Sequence, residues 1–173
     1  MTNQVFRRLT STPQMMSVLG DVEILQAMLD FEGGLAQAGS KCDLFEPSVA
    51  DTITRFCDIS EFSITELSEM ASQHGTVVVP LVNQLTKLVS AFDKPASSWV
   101  HFGATSQDVI DTAMVLQLKK AVDLLEVDVQ RLVFALGALI DKFGNQIMIG
   151  RTLQQPSVPI TFGQKVLVGR RRF

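Results

Sequence analysis

The sequence predicts an all-α protein: an N-terminal helical region followed by the first long helix of a bundle that the chain leaves truncated. Apolar side chains recur at three- and four-residue steps along almost the whole chain, the spacing that lines one face of an α-helix. Val115, Leu118, Val122, Leu125, Val129, Leu132, Leu136, Leu139 and Phe143 hold that spacing without a break. They form one coiled-coil-like seam, about 43 Å long at 1.5 Å per residue. Such a rod needs partner helices of similar length, and the roughly thirty residues after Phe143 hold at most a short one.

Each element follows in order. From Asp21 to Ala38 the apolar positions Ile24, Leu25, Met28, Leu29, Phe31, Leu35 and Ala38 predict a helix that Gly39 and Ser40 end. Pro47 suits the first turn of a helix to Phe56. Ser60 can accept the free first-turn N–H groups of another helix from Glu61 to Ser72. Val77 to Val79 could form a strand, but Pro80 would remove a ladder hydrogen bond and no partner strand is visible. A loop passing into a helix that ends at Phe92 is therefore predicted. The long rod starts after Thr105, Gly144 and Asn145 punctuate it, and a last helix is predicted from about Pro156, with Pro159 still near its first turn.

Composition narrows the function classes. With 173 residues, 46% apolar and 19% charged, the chain can build a core and is not disordered. The net charge is −3 with no basic stripe, Arg170 to Arg172 being the only cluster, which argues against nucleic-acid binding. Cys42 and Cys57 are too few for a disulfide framework, and His74 and His101 do not complete a ligand spacing with them, so no metal is predicted. Met1 to Arg8 lacks the apolar stretch of a signal peptide. The longest apolar run, Leu132 to Ile140, falls short of the roughly 20 residues of a membrane span. A soluble cytoplasmic protein is expected.

Two segments can carry chemistry. Trp99-Val-His-Phe-Gly-Ala-Thr-Ser-Gln-Asp-Val-Ile-Asp-Thr112 is a polar loop running straight into the rod. The hydroxyls of Thr105 and Ser106, with the unpaired N–H groups and the positive end of the helix dipole, suit a carboxylate. The same residues serve equally as plain caps. Gly150-Arg-Thr-Leu-Gln-Gln-Pro-Ser-Val-Pro-Ile-Thr-Phe-Gly163 gathers Arg151, Thr152, Gln154, Gln155 and Thr161, and the planar fork of arginine suits carboxylate recognition. A capped turn with a surface arginine is the plainer alternative. Two anion-friendly segments together suggest a polyanionic small substrate.

These two segments resemble the first two signature regions of the fumarase/aspartase superfamily, in the same order and at a similar separation. Within it they are most similar to the bacterial 3-carboxy-cis,cis-muconate cycloisomerase family, as is Gln26 to Ala38, QAMLDFEGGLAQA. The resemblance extends to about Lys165. It implies an N-terminal helical domain over 1–104 and, over 105–173, the incomplete start of a central bundle of very long helices. That bundle would assemble as a homotetramer through the Val115 to Phe143 helix, with active sites built from three subunits.

The resemblance also implies a cofactor-free reaction on a small tricarboxylate: intramolecular lactonisation to 4-carboxymuconolactone, in the protocatechuate branch of the β-ketoadipate pathway. Read in reverse it is a β-elimination, so proton transfer beside a carboxylate and stabilisation of the resulting anion are the catalytic tasks. By matching positions, His101, Thr105 and Ser106 bind substrate, Asp108 orders their loop, and Arg151, Thr152 and Gln155 contact the other carboxylates. His74 falls near an acid histidine of adenylosuccinate lyases and is the candidate catalytic residue, although the cycloisomerases do not generally keep it. Adenylosuccinate and argininosuccinate lyases carry a histidine where this chain has Leu153, whose alkyl group moves no proton.

The third signature, a Gly-Ser-Ser-x-Met-Pro-x-Lys-x-Asn loop with a catalytic serine and lysine, is absent, so an N-terminal fragment inactive by itself is expected. The Leu167 to Phe173 ending fits an out-of-frame tail. The alternatives are a fragment of an adenylosuccinate-lyase-like enzyme, or a non-catalytic helical association module.

Overall fold

The computed structural model describes residues 8–170. The signal-peptide expectation for Met1 to Arg8 falls almost wholly outside them, as does the end of the Leu167 to Phe173 tail. The chain divides into two compact units, one ending at Ala121 and the other starting at Val122.

The first unit is helical: α1 (Pro13–Val18), α2 (Asp21–Lys41), α3 (Pro47–Arg55), a 3-10 turn (Ile59–Glu61), α4 (Ile64–His74), α5 (Val78–Phe92), the short α6 (Lys94–Ser97) and the start of α7 (Ser106–Phe143). Leu25, Leu29, Ile53, Leu67, Leu81, Leu85, Val89 and Val109 form its dry centre. α2 supplies one wall through a stripe at 25, 28, 29, 32, 33 and 36, the helical spacing read from the sequence. Two local expectations need correction. Gly39 and Ser40 do not end α2, which continues to Lys41; Gly39 instead makes room for Phe45, since a Cβ there would lie 2.7 Å from its ring. Ser60 is not the cap of α4. Asp58 accepts from the Ser60 N–H at 2.9 Å to close the 3-10 turn, and Ser63 caps α4 instead. The valines at 77–79 pass into α5 as expected, with the Thr76 hydroxyl accepting from Val78 N–H.

The second unit holds the rest of α7, a hairpin of β1 (Ile147–Thr152) and β2 (Gln155–Thr161), and α8 (Phe162–Arg170). The helix predicted from Pro156 is therefore wrong: Pro156 and Pro159 lie in β2, paired with Arg151 and Ile149. In a two-stranded ribbon both strands are edges, so a missing N–H can face outward. A bulge lies between Ile149 and Arg151, where a Cβ on Gly150 would come 2.7 Å from the Val158 carbonyl. The all-α expectation holds apart from this ribbon. α8 starts one residue after β2, where Phe162 and Gly163 donate to the carbonyls of Gln146 and Gly144 and Phe162 meets Phe143 edge to face.

The predicted seam is one unbroken helix, and most of it is uncovered. Val115, Leu118, Val122, Leu125, Leu132 and Leu139 are exposed, with Val129, Leu136 and Phe143 half-buried. No helix among the described residues is long and apolar enough to cross a membrane.

Candidate functional site

In the first unit the predicted loop is held by aromatic packing and one cap. Trp99 packs against Phe45, tilted, and against Phe102, edge to face, with ring centroids 4.9 and 4.8 Å apart. His101 and Gly103 take left-handed φ values of 58° and 76°, turning the chain toward α7. Thr105 then caps α7 reciprocally with Asp108: its N–H and its hydroxyl each donate to Asp108 Oδ2 at 2.8 Å. These bonds from the backbone and side chain of Thr105, with a smaller contribution from the charge of His101, hold the Asp108 carboxyl below its ordinary range. The Thr105 hydroxyl proton is thus committed within the cap. Ser106 keeps its hydroxyl free of protein partners among the described residues, beside the first-turn N–H groups of a 38-residue helix.

His101 is brought to a residue that the sequence reading did not single out. Its Nδ1 lies 2.6 Å from Oε1 of Glu32, which is buried on α2. Burial pushes the Glu32 carboxyl above its ordinary range, although the hydrogen bond and charge of His101 pull it down. The signal was present: an acid on the buried stripe of α2, between Leu29 and Ala36 at helical spacing. His74 stands elsewhere, as the exposed last residue of α4 before the left-handed Gly75, with no hydrogen bond or ion pair among the described residues. It is not joined to His101, Thr105 or Asp108 by any direct contact of that kind.

In the second unit Arg151, Thr152 and Gln155 gather at the tip of the ribbon, all exposed. Thr152 pairs directly with Gln155, so the two share a face, and strand alternation turns Arg151 to the other. Leu153 and Gln154 form the two-residue turn with φ of 45° and 64°, the positive pair a tight hairpin requires, and Leu153 is 94% exposed. Its side chain offers no group for proton transfer at that tip. Among the described residues no group of three or more His, Cys, Asp or Glu side chains is arranged to hold a metal. Cys42 and Cys57 are free thiols.

Comparison with known proteins gives the following. A family profile described as lyase matches residues 7–170. The chain is 37% identical over 166 residues to a 3-carboxy-cis,cis-muconate cycloisomerase of Pseudomonas putida, covering 96% of this chain and 39% of that protein. It is 39% identical to the protein of that name from Bradyrhizobium diazoefficiens, over 90% of this chain and 34% of that protein. Among solved structures, a 3-carboxy-cis,cis-muconate lactonizing enzyme from Pseudomonas putida superposes with a TM-score of 0.90 at 34% identity, over 98% of this chain and 40% of that one. The chain thus spans about two-fifths of the length of the relatives it matches.

Proposed function

The chain belongs to the lyase family matched across residues 7–170, and we propose that it supplies the amino-terminal part of a 3-carboxy-cis,cis-muconate cycloisomerase. In that reaction a substrate carboxylate adds to a double bond of the same molecule: a C–O bond forms, a proton is taken up at the neighbouring carbon, and 4-carboxymuconolactone results. The reaction lies in the protocatechuate branch of the β-ketoadipate pathway. The observation that carries the proposal is the start of α7, where the free Ser106 hydroxyl, the first-turn N–H groups and the partly exposed His101 ring offer hydrogen bonds suited to a carboxylate. Asp108 orders this cradle through Thr105. Arg151, Thr152 and Gln155 bind further carboxylates in sites completed by other copies of the chain, assembled through the apolar seam of α7. Leu153 supports this activity over that of the histidine-bearing lyases.

The remaining three-fifths of such an enzyme, with its serine and lysine loop, supplies the main proton-transfer groups, so the 173-residue chain alone is inactive. His74 takes at most a supporting part in proton transfer, from outside the cap. The test is the loss of muconate absorbance, assayed with the chain alone and with a chimera in which it replaces the corresponding part of the Pseudomonas putida relative. No turnover alone and clear turnover by the chimera are expected. A folded, oligomeric chimera that turns over adenylosuccinate but not muconate contradicts the proposal.

A further inference from the structure

Glu32 has a side chain with no exposed surface, whereas His101 keeps 20% of its own. Oε1 of Glu32 lies 2.6 Å from His101 Nδ1, and the equally buried Oε2 has no hydrogen-bond partner. Nε2 is then the one polar atom of the imidazole left without a partner among the described residues, and the carboxylate itself lies out of a ligand's reach. We propose that Glu32 is a positioning residue that clamps His101 through Nδ1, so that Nε2 presents a hydrogen to a carboxylate bound at the start of α7. The inference rests on the proposed reading of that loop as a carboxylate cradle.

The protonation state follows from charge accounting in a dry site. If the pair holds a single proton, on Nδ1, it carries one negative charge with Oε2 orphaned, and burial makes that state costly. Taking up one more proton makes the pair neutral overall. That proton balance can be written as an ionised Glu32 with an imidazolium, or as a protonated Glu32 donating to Nδ1 of a neutral ring. In both, Nε2 carries hydrogen. His101 is thereby a donor to an anion and not a proton acceptor at Nε2. The left-handed backbone at His101 is consistent with a residue held in place from the side-chain end.

The ionisable groups around the pair leave this arrangement intact. Burial, with the charges of Glu32 and Asp30, pushes the Cys57 thiol up to about 12, so it stays neutral. Asp108 on α7 is spent on Thr105. Asp30, on α2, is exposed and bonded to Gln26.

The chain has two histidines, so the imidazole nitrogens are separable by NMR of protein labelled with ¹⁵N-histidine, and exposed His74 is an internal reference. The expected spectrum places His101 Nε2 in the protonated range, with the His74 lines as reference. In E32Q the neutral amide can pair with either tautomer of the ring, and the His101 Nε2 line is expected to leave that range. If E32Q does not fold, E32D, which keeps the charge and shortens the reach, is expected to do the same. An unprotonated Nε2 in the parent chain, or one whose protonation survives both variants, overturns the inference. In the chimera, E32Q is expected to lower kcat/KM for muconate about tenfold. The NMR result stands apart from turnover: a chimera without muconate turnover defeats the cycloisomerase proposal, and an unresponsive His101 defeats only this one.

Discussion

The two units use similar apolar residues to opposite effect. From α2 to the start of α7, leucines and valines at helical spacing are dry, with Leu29, Leu67, Leu81, Leu85 and Val89 fully buried. From Val122 onward the same residue types at the same spacing are exposed or only half-buried, Phe134 being 80% exposed, and Gly150 is the one buried position among the described residues of that unit. Spacing alone therefore says that a helix has a greasy face; whether the chain itself covers that face depends on how much chain is there to pack on it. In the first unit α3 and the 3-10 turn pack on α2, whose buried face belongs to the shared core. The second has a two-stranded ribbon and one short helix, too little to shield several turns of α7.

The largest test of that contrast is truncation of one leucine in each unit. Leu29→Ala should cost about 3 kcal/mol in urea unfolding, from lost burial plus the cavity left behind. Leu132→Ala, at a position already 41% exposed, should cost under about 0.5 kcal/mol in the chain alone. Equal losses would mean that both units carry comparable cores.

Glycines on α2 give a second contrast within the packed unit. Gly39→Ala forces a Cβ against the Phe45 ring and should destabilise by about 1–3 kcal/mol. Gly34→Ala, with nothing within 4 Å, should stabilise by about 0.5–1 kcal/mol through helix propensity. Thermal melts of the two variants should shift in opposite directions.

Smaller still is the pH dependence of the cap on α7. The Asp108 carboxyl sits lower in the folded chain than in the unfolded one. Its contribution is complete above the ordinary aspartate value of about 3.9 and disappears as pH falls through the folded value. Between pH 5 and pH 2 the melting temperature of Asp108→Asn should fall less steeply than that of the parent, and parallel curves would remove the cap from the account.

The smallest expected effect on global stability is at the ribbon tip. Leu153→Gly relieves a side chain held at φ of 45° and should gain about 1 kcal/mol locally. Slower amide exchange across 147–161, with no change in global unfolding, is the expected readout.

These contrasts show where sequence reasoning reaches. The rod, the packed face of α2, the proline start of α3 and the capped loop at Thr105 were legible because each rests on local spacing or local capping chemistry. The ribbon was not, since Leu153 and Gln154 form its turn without the glycine or asparagine that marks such turns, and two prolines pointed to a helix start. The Glu32–His101 pair joins positions 69 residues apart. Its only local trace is an acid on an apolar stripe, and the partner is set by tertiary packing.

The most direct test is hydrogen–deuterium exchange on a sample verified as monomeric by ultracentrifugation. α7 beyond Ala121 is predicted to exchange orders of magnitude faster than α2 and α5, because most of its apolar face is exposed among the described residues. Equal protection of all three helices in a monomer would contradict it.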